Sequence, residues 1–313
     1  MDDKLKAYVK KNLDLIDAND YETLYKNISQ AYHPPMMVLD DVGELTEFLL
    51  KCNIKPDEYM LKIPEAYLYR ITTISSYRIS TNITKISSQA FEHCSIESIY
   101  IPDSVCEIGA YAFAHCTNLT SITIPSNVTC LRDGTFSGCR SLKNITIPDS
   151  VTDIDYLCFD GSCPITTATI PAIAINPLPK YSLETVVITS GNIIPEHAFA
   201  QCDTIKSITI PNSITNIGAD AFSGCSSLTS IVIPDKLINI SERTFYNCTS
   251  LTNIKIPDSI ESIEKDAFSH IGELEITYQG TTSNWKKLYK PEAFRGTYFT
   301  VNCTDGKIVK KKK

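Results

Sequence analysis

The segment Ile210–Val232 reads IPNSITNIGADAFSGCSSLTSIV and contains one complete copy of a pattern that recurs along the chain. Phenylalanines 23 residues apart mark the recurrence. They are Phe113, Phe136 and Phe159, followed by Phe199, Phe222, Phe245 and Phe268. Leucine or isoleucine stands six residues after each phenylalanine, and Ile-Pro stands eleven residues after most of them. Columns that stay in register over so many copies identify an internal repeat.

Each copy predicts a short strand followed by a turn. In Ile122-Thr-Ile124 apolar and polar residues alternate, which is the period of a strand. Pro125 lacks an amide hydrogen, so it ends the strand. From Ile217 to Cys225 the apolar residues have helical spacing, which predicts a short helical turn. One such unit cannot enclose a core, so we expect the copies to stack as a solenoid.

The L-x-x-I-x-I-P strand and the A-F-x-x-C module resemble the BspA-like class of bacterial leucine-rich repeats. The resemblance covers residues 63–278. It implies an α/β solenoid of leucine-rich repeat coils with a parallel sheet on the concave face. Members of that class are mostly secreted or surface-displayed, and adhesion or binding of host proteins is their usual attribution.

Three regions are predicted. Apolar residues at helical spacing predict a small α-helical cap domain over residues 1–62, ahead of about nine coils in 63–278. An aromatic-rich segment, 279–313, is expected to close the last coil and to end in a basic tail, frayed from Lys310 onward.

The repeat is irregular at residues 170–188. Ile188 follows Ile170 by only 18 positions, and the interval contains Pro171, Pro177 and Pro179. Because proline interrupts helices, we expect a local thinning or bend that divides the solenoid into two blocks. A hinge or partner notch is one interpretation, and a decayed repeat is the one we favour.

Cysteines form a column three residues after the repeat phenylalanines. Its members are Cys94, Cys116, Cys139, Cys202, Cys225 and Cys248, with Ser162 and Ile271 at the equivalent positions. A column that accepts cysteine, serine and isoleucine fills space, which favours a ladder of buried thiols over disulfides or metal ligands.

Histidines precede two of these cysteines, as His93-Cys94 and His115-Cys116, and together resemble a zinc set. Their column also holds Gly138, Gly161, Gln201, Gly224, Asn247 and His270. These residue types tolerate left-handed backbone, which explains the column without a metal. We therefore predict no metal site and no cofactor.

Composition and motifs exclude several function classes. The net charge of −7 argues against a nucleic-acid binder, and no apolar run is long enough for membrane insertion. No nucleophile elbow, phosphate-binding glycine loop or zinc-protease motif occurs, so no enzyme is predicted. The charged first residues do not resemble a signal peptide, which favours a cytoplasmic protein over a phage particle or a cell surface reached by another route.

The outward positions of the predicted strands offer a contact face. The candidate partner-binding residues are Arg78, Tyr100, Thr123, Thr146, Thr169, Thr209 and Lys255. The face is polar and almost uncharged, and its only residues of the types that dominate interfaces are Arg78 and Tyr100. We therefore predict a non-enzymatic scaffold that binds a protein or an extended polymer. The alternative is an adhesin-like surface or phage-particle component that mediates attachment.

Overall fold

The computed structural model describes residues 76–79, 81 and 83–311. The predicted helical domain at 1–62 and the first repeat residues, 63–75, lie outside this range. The described residues form two compact units. The first contains residues 76–142 and 153–163, and the second contains 143–152 and 164–311.

A coil contributes a longer strand and then, in most coils, a two-residue strand. The longer strands are β1 (Ser76–Arg78), β3 (Ser98–Tyr100), β5 (Ser121–Thr123), β7 (Asn144–Thr146), β9 (Thr167–Ile170), β10 (Thr185–Ile188), β12 (Ser207–Thr209), β14 (Ser230–Val232), β16 (Asn253–Ile256) and β18 (Gly272–Tyr278). The two-residue strands are β2 (Lys85–Ile86), β4 (Glu107–Ile108), β6 (Cys130–Leu131), β8 (Asp153–Ile154), β11 (Ile193–Ile194), β13 (Asn216–Ile217), β15 (Asn239–Ile240) and β17 (Ser262–Ile263).

Strands of successive coils pair in parallel, as the repeat predicts. In the first unit β1 pairs with β3, β2 with β4 and β6 with β8. In the second unit β7, β9, β10 and β12 form one parallel run, and β14, β16 and β18 form another. Pairing one repeat apart places equivalent side chains above one another, so each unit is a β-solenoid of stacked coils.

The repeat phenylalanines form the centre of each unit's core as stacked rings. In the first unit Phe113 lies 5.2 Å from Phe91 and 5.8 Å from Phe136, centroid to centroid. In the second unit Phe222 lies 5.7 Å from Phe199 and 5.5 Å from Phe245, with each pair of rings inclined by 5°. Offset stacking adds to the gain from burying these large side chains.

The predicted helical turns are wrong for the described repeat, and the α/β class is not confirmed there. In the described residues the only α-helix is α1 (Thr282–Leu288), outside the repeat. The module around Phe222 is a series of turns because Asp220 and Gly224 both have left-handed backbone, with φ of 54° and 77°. Left-handed residues end a helix, and the amides of Phe222 and Gly224 instead donate to the next coil, to Thr244 O at 2.9 Å and Tyr246 O at 2.8 Å.

The short coil at 170–188 lies entirely within the second unit. Its strands β9 and β10 pair in full register, and a 3₁₀ turn, Ala172–Ala174, connects them to the rest of the coil. Its core positions hold no phenylalanine; Ile175, Leu178 and Leu183 are buried instead. The local thinning or bend at 170–188, and the division of the solenoid there into two blocks, stay predictions.

An aromatic cluster closes the second unit at its C-terminal end. After α1 come a 3₁₀ turn, Pro291–Phe294, and strands β19 (Thr297–Cys303) and β20 (Gly306–Lys310). Trp285, Phe294 and Phe299 are buried against one another. The prediction that the chain is frayed from Lys310 onward is wrong for Lys310 itself. This residue belongs to β20, paired antiparallel with β19, and its Nζ donates to Phe294 O at 3.3 Å.

Candidate functional site

The candidate contact surface is the strand face, defined as the outward-pointing side chains of the longer strands. Side chains alternate between the two faces of each strand, and in β5 and β12 the central isoleucine is buried while its two neighbours are exposed. Five of the predicted contact residues are exposed: Arg78, Tyr100, Thr123, Thr209 and Lys255. Thr146 and Thr169 are half-buried. All seven therefore lie where the repeat places them.

The parallel register aligns these residues into columns within each unit. In the second unit Thr146 lies beside Thr169, and Val187 separates Thr169 from Thr209. Further along, Lys255 lies between Val232 and Thr277. Since neighbouring strands are about 4.8 Å apart, each column presents its side chains at a regular interval.

Arg78 and Tyr100 occupy paired positions of β1 and β3 in the first unit. The guanidinium carbon of Arg78 lies 4.0 Å from the centre of the Tyr100 ring, in a cation–π contact. Tyr100 remains 47% exposed. Stacking restricts both side chains before any partner arrives, which reduces the entropy lost on binding.

The strand face of the second unit also ends in a charged groove that the sequence patterns did not identify. An open depression of about 670 Å³ has Glu273 and Glu275 of β18, Tyr298 of β19, and Lys307 and Lys310 of β20 among its lining residues. β20 pairs antiparallel with β19, which itself pairs with β18, so these lysines and carboxylates line the same groove. The sequence analysis assigned these lysines to a basic tail, because the charge of a segment does not show whether it pairs as an antiparallel strand.

The cysteine column is a ladder of buried thiols with a repeated hydrogen bond. In five coils the Sγ donates to the carbonyl oxygen of the phenylalanine one coil earlier, whereas the Sγ of Cys202 lies 3.9 Å from Ala200 O. The pairs are Cys116 to Phe91 at 3.0 Å, Cys139 to Phe113 at 3.1 Å, Cys163 to Phe136 at 3.1 Å, Cys225 to Phe199 at 3.2 Å and Cys248 to Phe222 at 3.1 Å. The same bond in the last coil comes from Thr297, whose Oγ1 lies 2.5 Å from Phe268 O.

The assignment of Ser162 to this column is wrong, because Cys163 occupies the position. This coil has one more residue between its phenylalanine and its cysteine than the other coils, and the Asp160 carboxylate holds the turn that contains it. Asp160 Oδ2 accepts from Ser137 Oγ and from the Gly138 amide, both at 3.0 Å, and Oδ1 accepts from Ser162. Although burial would raise the pKa of Asp160, these hydrogen bonds hold it below its ordinary value.

Burial raises the pKa of the ladder thiols. It raises that of Cys202 to about 11 and those of Cys163 and Cys248 to about 12. Burial also raises the pKa values of Cys116, Cys139 and Cys225. Since the thiolate is the nucleophile and metal ligand, these cysteines are chemically inert near neutral pH.

The histidine column has the left-handed backbone predicted for it. His93, His115, Gln201, Asn247 and His270 have φ between 57° and 61°. Gly138 and Gly224 share the left-handed region, whereas Gly161, beside the extra residue, does not. A second left-handed column, two residues before the phenylalanines, was not predicted. Its members are Gln89, Tyr111, Gly134, His197, Asp220, Arg243 and Asp266.

Within the described ranges, no helix has both the length and the apolar character required to span a bilayer.

Comparisons with protein-family models, curated proteins and solved structures show what this repeat is similar to. The family model "BspA type Leucine rich repeat region" matches in six copies over residues 61–185 and 173–298. A comparison with curated proteins finds no match.

Two solved structures illustrate the likeness. A leucine-rich repeat protein from Bacteroides ovatus is 25% identical, with 77% of this chain and 74% of that chain covered and a TM-score of 0.45. A leucine-rich cell surface protein from Faecalibacterium prausnitzii is 28% identical, with 71% and 83% covered and a TM-score of 0.30.

Proposed function

Because this chain belongs to the BspA-type leucine-rich repeat family, we propose that it is a non-enzymatic scaffold that binds a protein or an extended polymer through its strand face. The observation that carries the proposal is the alignment, in register within each unit, of exposed and half-buried side chains that are mostly small and polar. An adhesin-like role in attachment would use this same face.

The chemistry of the face favours many weak contacts with one anchor. Threonine and serine hydroxyls donate and accept hydrogen bonds without the desolvation cost of charges. Regularly spaced weak contacts add up when the partner is itself long or repetitive. The Arg78–Tyr100 pair supplies the residue types that dominate binding energy at interfaces.

Leucine-rich repeat proteins are typically non-enzymatic scaffolds, and the family match covers the repeat itself. The buried thiols agree with this role because their raised pKa values leave them protonated. An interaction function is therefore favoured over catalysis.

Replacing Arg78 and Tyr100 together with alanine is expected to weaken partner binding at least tenfold, since two anchors are lost from one site. The full chain is immobilised and exposed to an extract of its source organism. Captured proteins are quantified by mass spectrometry, and the affinity of the main captured protein is then measured by interferometry.

The chain offers a matched control, a second Arg–Tyr pair away from the strand face. The guanidinium carbon of Arg243 lies 4.1 Å from the centre of the Tyr246 ring. Arg243→Gln with Tyr246→Ala removes this pair, and glutamine already occupies the same left-handed column at Gln89. Equal losses from both double variants, or no loss from the first, would contradict binding through the strand face.

A further inference from the structure

Two histidine rings stack on the turn side of the first unit, away from the strand face. His93 and His115 occupy equivalent positions in successive coils, with ring centroids 4.6 Å apart and planes inclined by 10°. Glu92 lies directly before His93 in the chain. One ligand atom from each of these three residues lies within 4.8 Å of the other two.

The backbone holds both histidines in place. Their φ values are 61° and 58°. The amide of His93 donates to Ala114 O at 2.8 Å, and that of His115 donates to Ser137 O at 2.6 Å. The next coil has Gly138 in this column, where a β-carbon would lie 2.3 Å from His115 Nδ1. The glycine therefore makes room for the His115 ring, so the position of the pair is built into the coils.

The carboxylate of Glu92 is oriented toward the histidines. Its side chain is 14% exposed. Oε2 accepts a hydrogen bond from Gln89 Nε2 at 2.8 Å, and Oε1 lies 3.8 Å from His93 Nε2. A carboxylate held through one oxygen by an outer partner, with the other directed at imidazoles, is the arrangement by which outer contacts orient metal ligands.

We propose that Glu92, His93 and His115 form a binding site for one divalent transition-metal ion of the zinc, nickel or copper class. Two imidazoles and one carboxylate suit these ions rather than Mg²⁺ or Ca²⁺, which prefer all-oxygen sites. The adjacent cysteines are not ligands, because Cys94 and Cys116 are buried and Cys116 Sγ donates to Phe91 O. This donor set differs from the paired His-Cys set that the sequence patterns suggested.

Binding requires only side-chain movement. Tetrahedral ligands about 2.1 Å from a zinc ion lie roughly 3.4 Å from one another. The donors are 3.8 Å apart for Glu92 and His93, and 4.8 Å at most for any pair. The His93 side chain is 41% exposed, so its ring has room to rotate toward the ion. Water completes the coordination, as expected at a surface site with three protein ligands.

The test is a titration of the metal-free full chain, without an affinity tag, with ZnCl₂, NiCl₂ or CuCl₂ in a non-chelating buffer. Isothermal calorimetry measures the affinity, and electron paramagnetic resonance of the Cu²⁺ sample detects coupling to ligand nitrogens. We expect one equivalent to bind with coupling from two nitrogens. His93→Asn and His115→Asn should each weaken binding at least tenfold, and Glu92→Gln should also weaken it.

Asparagine is the matched replacement because Asn247 has a φ of 57° in the same column, so the left-handed backbone is preserved. His270→Asn is the control: it changes the same column at φ 61°, where the ring contacts Tyr246 instead of a second histidine. Circular dichroism and the melting temperature establish that each variant is folded. The proposal is overturned if the His93→Asn/His115→Asn variant binds as much metal as the unaltered chain, or if His270→Asn weakens binding equally.

Discussion

Replacing Phe222 with alanine is expected to lower the free energy of unfolding by about 3–5 kcal/mol, the usual cost of removing a fully buried aromatic side chain. The ring is 0% exposed and stacks between Phe199 and Phe245. Its removal leaves a cavity between two rings whose coils are held at a fixed spacing by hydrogen bonds from Phe199 N to Ala221 O and from Phe222 N to Thr244 O. The neighbouring coils therefore cannot collapse fully into the space.

Guanidinium chloride unfolding, followed by circular dichroism, measures this effect as a shift of the midpoint. Thr209→Ala is the control, because Thr209 is exposed on the strand face of the same unit and its loss should change stability by no more than about 0.5 kcal/mol. If the midpoint of Phe222→Ala differs from that of the unaltered chain by no more than the midpoint of Thr209→Ala does, the ring stack does not hold the coils together.

Stability is expected to fall steeply as the pH rises above 9, because the ladder thiols must stay protonated in the folded chain. Their folded pKa values lie above the ordinary value of 9.0, at about 11 for Cys202 and about 12 for Cys163 and Cys248. A group whose pKa is raised on folding contributes stability that is complete below the unfolded pKa. That stability is lost as the pH rises through the folded pKa. Each such thiol removes about 1.4 kcal/mol per pH unit within that window.

The measurement is a series of denaturant unfolding midpoints from pH 8 to pH 11 under reducing conditions. Because lysines and tyrosines titrate in the same range, the thiol contribution is isolated with the Cys225→Ser/Cys248→Ser variant. A serine hydroxyl does not ionise there, and Thr297 shows that a hydroxyl can donate to the phenylalanine carbonyl at this position. We expect the variant to lose less stability between pH 9 and pH 11. If the two proteins lose the same stability over this pH range, ionisation of the ladder thiols is not the cause of the loss.

Part of the fold follows directly from local patterns. The alternation in Ile122-Thr-Ile124 predicts the buried centre of β5, and the 23-residue spacing predicts the stack of Phe222 on Phe245. The helical spacing from Ile217 to Cys225 led to the wrong prediction of a helical turn, because the spacing of apolar residues does not show which carbonyl oxygen each backbone amide bonds. With left-handed backbone at Asp220 and Gly224, those amides bond to the next coil instead of closing a helix.

For the candidate sites, too, some residues could be predicted from the sequence and others could be identified only in the structure. Arg78 and Tyr100 could be selected from their residue types and their repeat positions, whereas their 4.0 Å contact required the register of β1 and β3. Cys163 was missed because the Asp160 turn shifts the column by one residue. The Glu92 carboxylate was missed because its orientation depends on a hydrogen bond from Gln89, which no spacing reveals.

The amino-acid sequence by itself determined that the repeat region builds stacks of similar coils with phenylalanine and cysteine inside and small polar residues outside. Burial of apolar side chains at a fixed period is a property of the linear pattern, and it can be read one unit at a time. Only the tertiary structure decided how the turns are built, which residue fills each altered position and which side chains meet across coils. Those outcomes depend on hydrogen bonds between residues about 22 positions apart, such as Phe222 N to Thr244 O, and they exist only once neighbouring coils are in place.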